Sequence, residues 1–157
     1  MRIKKTIRQL VRKYKTNCPY ELAAGKQIIV RFEPLGEIYG FFHTYRRIPF
    51  ITINRELDEP MRRFVCAHEL GHAILHPRLN TPFLRANTLF SVDRIEREAN
   101  EFAAELLIPD EVLHEHRTLQ EAAAACHVPE EIAKLKRVEE IPARHFWQDE
   151  RSFFRFS

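Results

Sequence analysis

With 157 residues, 45% of them hydrophobic and 30% charged, the chain has the length and balance of one soluble globular domain and is too short for two. A net charge of +3 is too small to name a nucleic-acid partner by itself, and no apolar run is long enough to span a bilayer or resembles a signal-peptide core. Cys18, Cys66 and Cys126 are odd in number and far apart, which points to reduced thiols in a cytoplasmic protein rather than a disulfide frame.

The first fifteen residues hold seven Lys/Arg and no acid. Ile3, Ile7, Leu10, Val11 and Tyr14 fall at helical spacing within them, so 1–16 is a basic amphipathic helix. A packed helix with a solvated basic face explains it better than a nucleic-acid or membrane contact. Cys18-Pro19-Tyr20 breaks the pattern, and a short helix over Tyr20 to Ala24 should end at Gly25. Three strands follow, over Gln27–Phe32, Glu37–His43 and Arg47–Asn54, with a turn at Glu33-Pro34-Leu35-Gly36. Alternation of Ile51 and Ile53 with Thr52 and Asn54 predicts a half-exposed strand, and Pro49 favours an edge position.

Helices dominate thereafter. Asp58-Glu59-Pro60 is a good entry to a helix over about Pro60–His76, stopped by Pro77. A loop from Arg78 to about Ser91 leads to a second long helix, capped by Ser91 or Asp93 and reaching Leu107 before Pro109. Shorter helices near 110–116, 118–126 and 129–137 complete the pattern. The fold class is α+β: a small antiparallel sheet on a mainly helical core, with 1–157 as one domain and 141–157 an unassigned tail rich in Phe and Trp.

Within the first long helix, His68-Glu69-Leu70-Gly71-His72 spells H-E-x-x-H. Residues four apart on a helix are offset by only about 40° and 6 Å, so the two imidazoles can close on one zinc ion. Glu69, beside the first, can then reach a water on that metal and act as general base for hydrolysis. The rival explanation is a buried helix whose histidines hydrogen-bond to neighbours. Against it, the helix is apolar on nearly every other side, and buried ionisable groups are costly unless paired or metal-bound.

Such a zinc site needs a third protein ligand. On a wheel of the second long helix, Val92, Ile95, Ala99, Phe102, Ala103, Leu106 and Leu107 define one apolar arc, and Glu96 falls inside it. Glu98, Glu101 and Glu105 lie outside and suit solvated charge. Glu96 is the preferred ligand and Glu98 the runner-up. His76, a turn beyond His72, is a weaker alternative, and Asn100 is placed to orient the Glu96 carboxylate. Cys66 suits a small buried residue better than a ligand.

These stretches carry a family resemblance. The run from Arg63 to His76 resembles the core signature of the ImmA/IrrE metallo-endopeptidases. Ile95 to Pro109 is similar to that family's second signature, E-x-x-A-N-x-F-A-x-x-L-L-x-P. The Ile51-Thr52-Ile53-Asn54 strand and Leu119 to Pro129 also fit, so the resemblance covers roughly 20–137. It implies a thermolysin-like (zincin-like) minimal core, His68, His72 and Glu96 as zinc ligands, and Glu69 as catalytic base. It further implies a cytoplasmic enzyme of phages or mobile elements that cleaves helix-turn-helix repressors.

The expected reaction is peptide-bond hydrolysis, with the Arg47–Asn54 strand holding substrate by strand addition if it is an edge. Tyr39, His43, Tyr45 and His114 are candidates for oxyanion stabilisation, each explained as well by a structural role. Two other classes compete. A DNA-binding or regulatory module would use the basic first helix and Thr118 to Lys136, but Glu121, Glu130 and Glu131 oppose phosphate contact, so direct nucleic-acid binding is not expected. A zinc-containing partner-binding protein without turnover would keep the same ligands.

Overall fold

The computed structural model describes residues 2–78, 82–83 and 94–136. The candidate caps Ser91 and Asp93 and the tail 141–157 lie outside the described residues. The chain runs α1 (Arg2–Tyr14), α2 (Pro19–Gly25), β1 (Ile29–Glu33), β2 (Gly40–Tyr45), β3 (Ile48–Asn54), α3 (Glu59–Leu75), β4 (Pro82–Phe83), α4 (Arg94–Leu107), α5 (Asp110–Glu115), α6 (Leu119–Ala125) and α7 (Glu130–Ala133). The α+β class holds, with helices and one small sheet about a shared core. Among the described residues, no helix is long and apolar enough to cross a membrane.

The sheet departs from expectation in three ways. Its order is β1-β3-β2-β4, and β1 pairs with β3 in parallel, so it is mixed rather than antiparallel. The β2–β3 hairpin turns through Arg46 and Arg47, both at positive φ, and returns β3 into the gap beside β1. Local periodicity reports which residues form strands but not which strand is inserted between two others. The Arg47–Asn54 segment is therefore central, not an edge. Pro49 is tolerated because the β1 ladder begins only at Phe50, so at Pro49 the strand has a neighbour on one side alone. The third departure is burial: Thr52 and Asn54 are as buried as Ile51 and Ile53. Asn54 is satisfied internally, donating through Nδ2 to the Gly36 and Ile38 carbonyls at 2.9 and 3.0 Å. That grip holds 36–38 as a turn and delays the second strand to Gly40. β4, inside the expected loop, pairs only with Gly40 and Phe41 and is too short to show a period.

The core is built around α3. Asp58 caps it, its side chain accepting from the Met61 N–H at 2.9 Å. Phe64, Val65, Cys66, Ala67 and Leu70 have no exposed surface. One side receives α4, and the other receives α2, β2 and β3. Glycine permits both close approaches. A Cβ on Gly71 would sit 3.1 Å from the Phe102 ring of α4. On Gly40 it would meet Val65 Cγ1 at 2.6 Å and the Thr52 carbonyl oxygen at 2.8 Å.

The face of α1 bearing Ile3, Ile7 and Leu10 is buried, as its spacing predicts. Lys4 is buried too, and with it Glu105, which the helical wheel assigned to solvent. Glu105 Oε2 lies 2.6 Å from Lys136 Nζ and 3.4 Å from Lys4 Nζ, and both lysines also reach Asp110, at 2.8 and 3.1 Å. The wheel failed here because α1 and the segment after α7 close over that face of α4 and bring two ammonium groups. Lys136, in the stretch considered for DNA contact, is spent inside this network.

Two predictions follow from the packing. Gly40→Ala should lower stability by about 1–3 kcal/mol, because the clash includes a backbone oxygen that cannot rotate away. An unchanged urea midpoint would show that β2 is free to lift off α3. For Asp110, burial raises the carboxyl pKa, but the hydrogen bonds and charges of Lys136 and Lys4 outweigh it and hold the pKa below its ordinary value. The stability it contributes is therefore present above the ordinary Asp range and lost as pH falls through the lowered value. Asp110→Asn should flatten that acid limb of a denaturation-versus-pH curve; a parallel curve would contradict the assignment.

Candidate metal centre

Three side chains from α3 and α4 meet in the core. His68 Nε2 lies 3.2 Å from Glu96 Oε2, His72 Nε2 lies 3.1 Å from Glu96 Oε1, and the two Nε2 atoms are 3.1 Å apart. They form the one His/Cys/Asp/Glu group among the described residues with metal-holding spacing. All three are buried, with side-chain exposures of 0%, 2% and 7% for His68, His72 and Glu96. The helical offset of His68 and His72 sets the first pair of donors. Glu96 joins them because it lies on the face of α4 that Phe102 and Gly71 clamp to α3.

The donor chemistry fits a cation. A tetrahedrally bound ion at roughly 2.0–2.1 Å from N and O donors spaces them roughly 3.3 Å apart, close to the separations seen. Asn100, expected to orient Glu96, has its Oδ1 2.8 Å from His68 Nδ1. With that oxygen as acceptor, Nδ1 carries the proton and Nε2 keeps its lone pair, aimed at the same point as the other two donors. Burial lowers the His68 pKa, with Glu96 opposing in part, so the ring is neutral near pH 7. For Glu96, burial pushes the carboxyl up, but His68 and His72 beside it outweigh this and pull it down to about 2, so it is ionised. Two imidazoles and a carboxylate are a ligand set suited to zinc.

Glu69 is fully buried, and both its carboxylate oxygens lack a well-formed hydrogen bond among the described residues. Burial first, and the nearby Glu96 charge second, raise its pKa well above the ordinary value; the Phe42 backbone of β2 opposes this only in part. A buried carboxyl with two vacant acceptors needs water, substrate or a cation beside it. Cys66 is buried and its thiol pKa is raised, chiefly by burial, which suits packing rather than ligation.

The other candidates fall elsewhere. Glu98 and His76, the alternative ligands, meet each other at 2.9 Å, one turn toward solvent from the trio. The His43 ring stacks on Phe50, Tyr45 is 58% exposed under the Arg46 guanidinium, Tyr39 packs against the core, and His114 is exposed on α5. The Asn100 contact with His68 was missed because a wheel assigns faces without saying which neighbour occupies them. Its one signal was the shared apolar face with Glu96.

The family described as IrrE N-terminal-like domain, a peptidase family, matches residues 23–136. The chain belongs to it. It is 47% identical over 144 residues to "uncharacterized immunity region protein 2" of Bacillus phage phi105, covering 88% of this chain and 91% of that protein. It is 33% identical over 115 residues to metallopeptidase ImmA of Bacillus subtilis strain 168, covering 72% of this chain and 67% of that one. The ImmA/IrrE resemblance read from the two signatures is thereby established. A metallopeptidase of this family requires a metal, and the trio lies inside the matched region.

Replacing Asn100 with Ala removes the acceptor that holds the His68 ring with Nε2 unprotonated. If the trio holds the family's metal, affinity for a divalent cation should fall about 10- to 100-fold in a chelator competition, the range for losing such a supporting partner. Unaltered affinity would mean that another group sets the His68 ring.

Proposed function

We propose that the protein is a zinc-dependent endopeptidase of the cytoplasm that cleaves a helix-turn-helix repressor, with His68, His72 and Glu96 as metal ligands and Glu69 as general base. The observation that carries this is the convergence of two imidazole nitrogens and one carboxylate within 3.2 Å of one another, beside a buried carboxyl with vacant acceptors. Zinc held there would polarise the scissile carbonyl and make an adjacent water acidic enough to lose its proton near neutral pH.

The chain's own groups supply the rest. Glu69, its proton affinity raised by burial, takes a proton from the attacking water as the new C–O bond forms. It returns that proton to the amine nitrogen as the C–N bond breaks, leaving a carboxylic acid and an amine. Neutral His68 and ionised Glu96 keep their protonation states throughout, and Asn100 holds the His68 ring in place. With β3 central, extended substrate is better served by β2. Among the described residues the β4 ladder covers Gly40 and Phe41 of that strand alone, and its Phe42 backbone runs beside Glu69. A repressor substrate is supported by the family resemblance and by a relative named for a phage immunity region.

Purified protein should carry near-stoichiometric zinc, and His72→Ala should lose it. Incubation with a co-encoded repressor should give one discrete cut. Glu69→Gln should slow that cut by about 10²- to 10⁴-fold, the usual contribution of a general base, while zinc stays bound. Zinc-loaded wild type that leaves every co-encoded repressor intact would favour a partner-binding role. A Glu69→Gln protein that cuts as fast as wild type would remove the base assignment.

A further inference from the structure

Glu96 and Glu98 lie two residues apart, so their side chains project roughly 200° apart around α4. Both nevertheless reach α3: Glu96 touches His68 and His72, and Glu98 touches His76. The first turn of α4 therefore sits astride the end of α3, gripped from two sides. A rotation of α4 that carries the Glu96 carboxylate off the imidazoles must also pull Glu98 from His76 or drive it into that ring.

Glu96 needs such support. It is the third residue of α4, in a turn whose N–H groups have no acceptors within the helix, where helices fray first. Glu98 is contacted at both oxygens, Oε2 lying 2.9 Å from His76 Nε2 and Oε1 accepting from Arg94 Nε at 2.9 Å. His76 is itself fastened to a ligand residue, its backbone N–H donating to the His72 carbonyl at 2.8 Å, and the two rings are 6.0 Å apart. Side-chain exposure rises from 0–7% across the trio to 15% at His76 and 22% at Glu98, so this pair closes the solvent end of the cluster.

We propose that His76 and Glu98 are a positioning pair: their contact locks the first turn of α4 onto the last turn of α3 and so sets the affinity of the His68–His72–Glu96 trio for its cation. Neither residue ligates the ion. The proposal rests on the metal-site reading above and assigns a role to the two residues that reading leaves unused.

The test measures zinc affinity of the full chain by competition with a chromophoric chelator, so no substrate is needed. His76→Ala and Glu98→Ala should each weaken zinc binding about tenfold, the low end of the range for supporting partners. The double variant should lose no more than either single one, because one contact is being removed twice. Glu98→Gln and His76→Gln, which keep a polar group on each side of the contact, should recover most of the affinity. Cobalt-loaded Ala variants should show a shifted visible band, and the Gln variants the wild-type one. The metal-free melting temperature should stay near that of wild type, since a partly exposed pair contributes little stability.

Wild-type affinity in both Ala variants would overturn the proposal, as would additive losses in the double variant. A metal-free melting temperature that falls in step with affinity would mark a general packing role instead. Loss beyond 100-fold with no recovery in Glu98→Gln would make Glu98 a ligand. Failure of wild type itself to bind zinc would sink the metal-site reading, and this one with it, before any variant is compared.

Discussion

Two imidazoles and two carboxyl groups are held buried where α3 and α4 pack together, a place where ionisable groups cost several kcal/mol each unless they are paired or bind a cation. Gly71 makes that interface as close as it is, since the Phe102 ring occupies the space a Cβ would need. The distances of 3.1–3.2 Å among His68, His72 and Glu96 follow from this spacing of helix axes as much as from the three side chains. An extra ångström between the helices would leave Glu96 short of the imidazoles and His68 without its Asn100 partner.

The same interface divides chemical labour between two carboxyls. Glu96 faces two imidazoles and is held ionised, whereas burial and the nearby Glu96 charge raise the proton affinity of Glu69. Environments that push two acids in opposite directions leave one the weaker and the other the stronger proton acceptor. The sheet serves this arrangement by laying the β2 backbone beside Glu69, an approach that Gly40 allows by having no side chain to collide with Val65.

Away from the centre, a second cluster of charge is internal. Lys4 and Lys136 close over Glu105 and Asp110, tying α1, α4, α5 and the end of the helical segment into one body. A first stretch of fifteen residues with seven basic side chains and no acid has the appearance of a binding surface in isolation. In the fold its apolar face is core, and one of its lysines is structural.

Much of this was legible from residue order alone. H-E-x-x-H on an apolar helix, Glu96 in the apolar arc of the next long helix, and the Asp58-Glu59-Pro60 entry with Pro77 and Pro109 beyond the two long helices are local patterns, and a helix converts local spacing directly into geometry. That was enough for the α+β class, the family and the three residues that converge. Strand order, the parallel pairing of β1 with β3, the burial of Thr52, Asn54 and Glu105, and the partners of Asn100 and Glu98 were decided only by tertiary structure. Each depends on which distant segment closes over a given face, and periodicity along one segment carries no record of its neighbours across space.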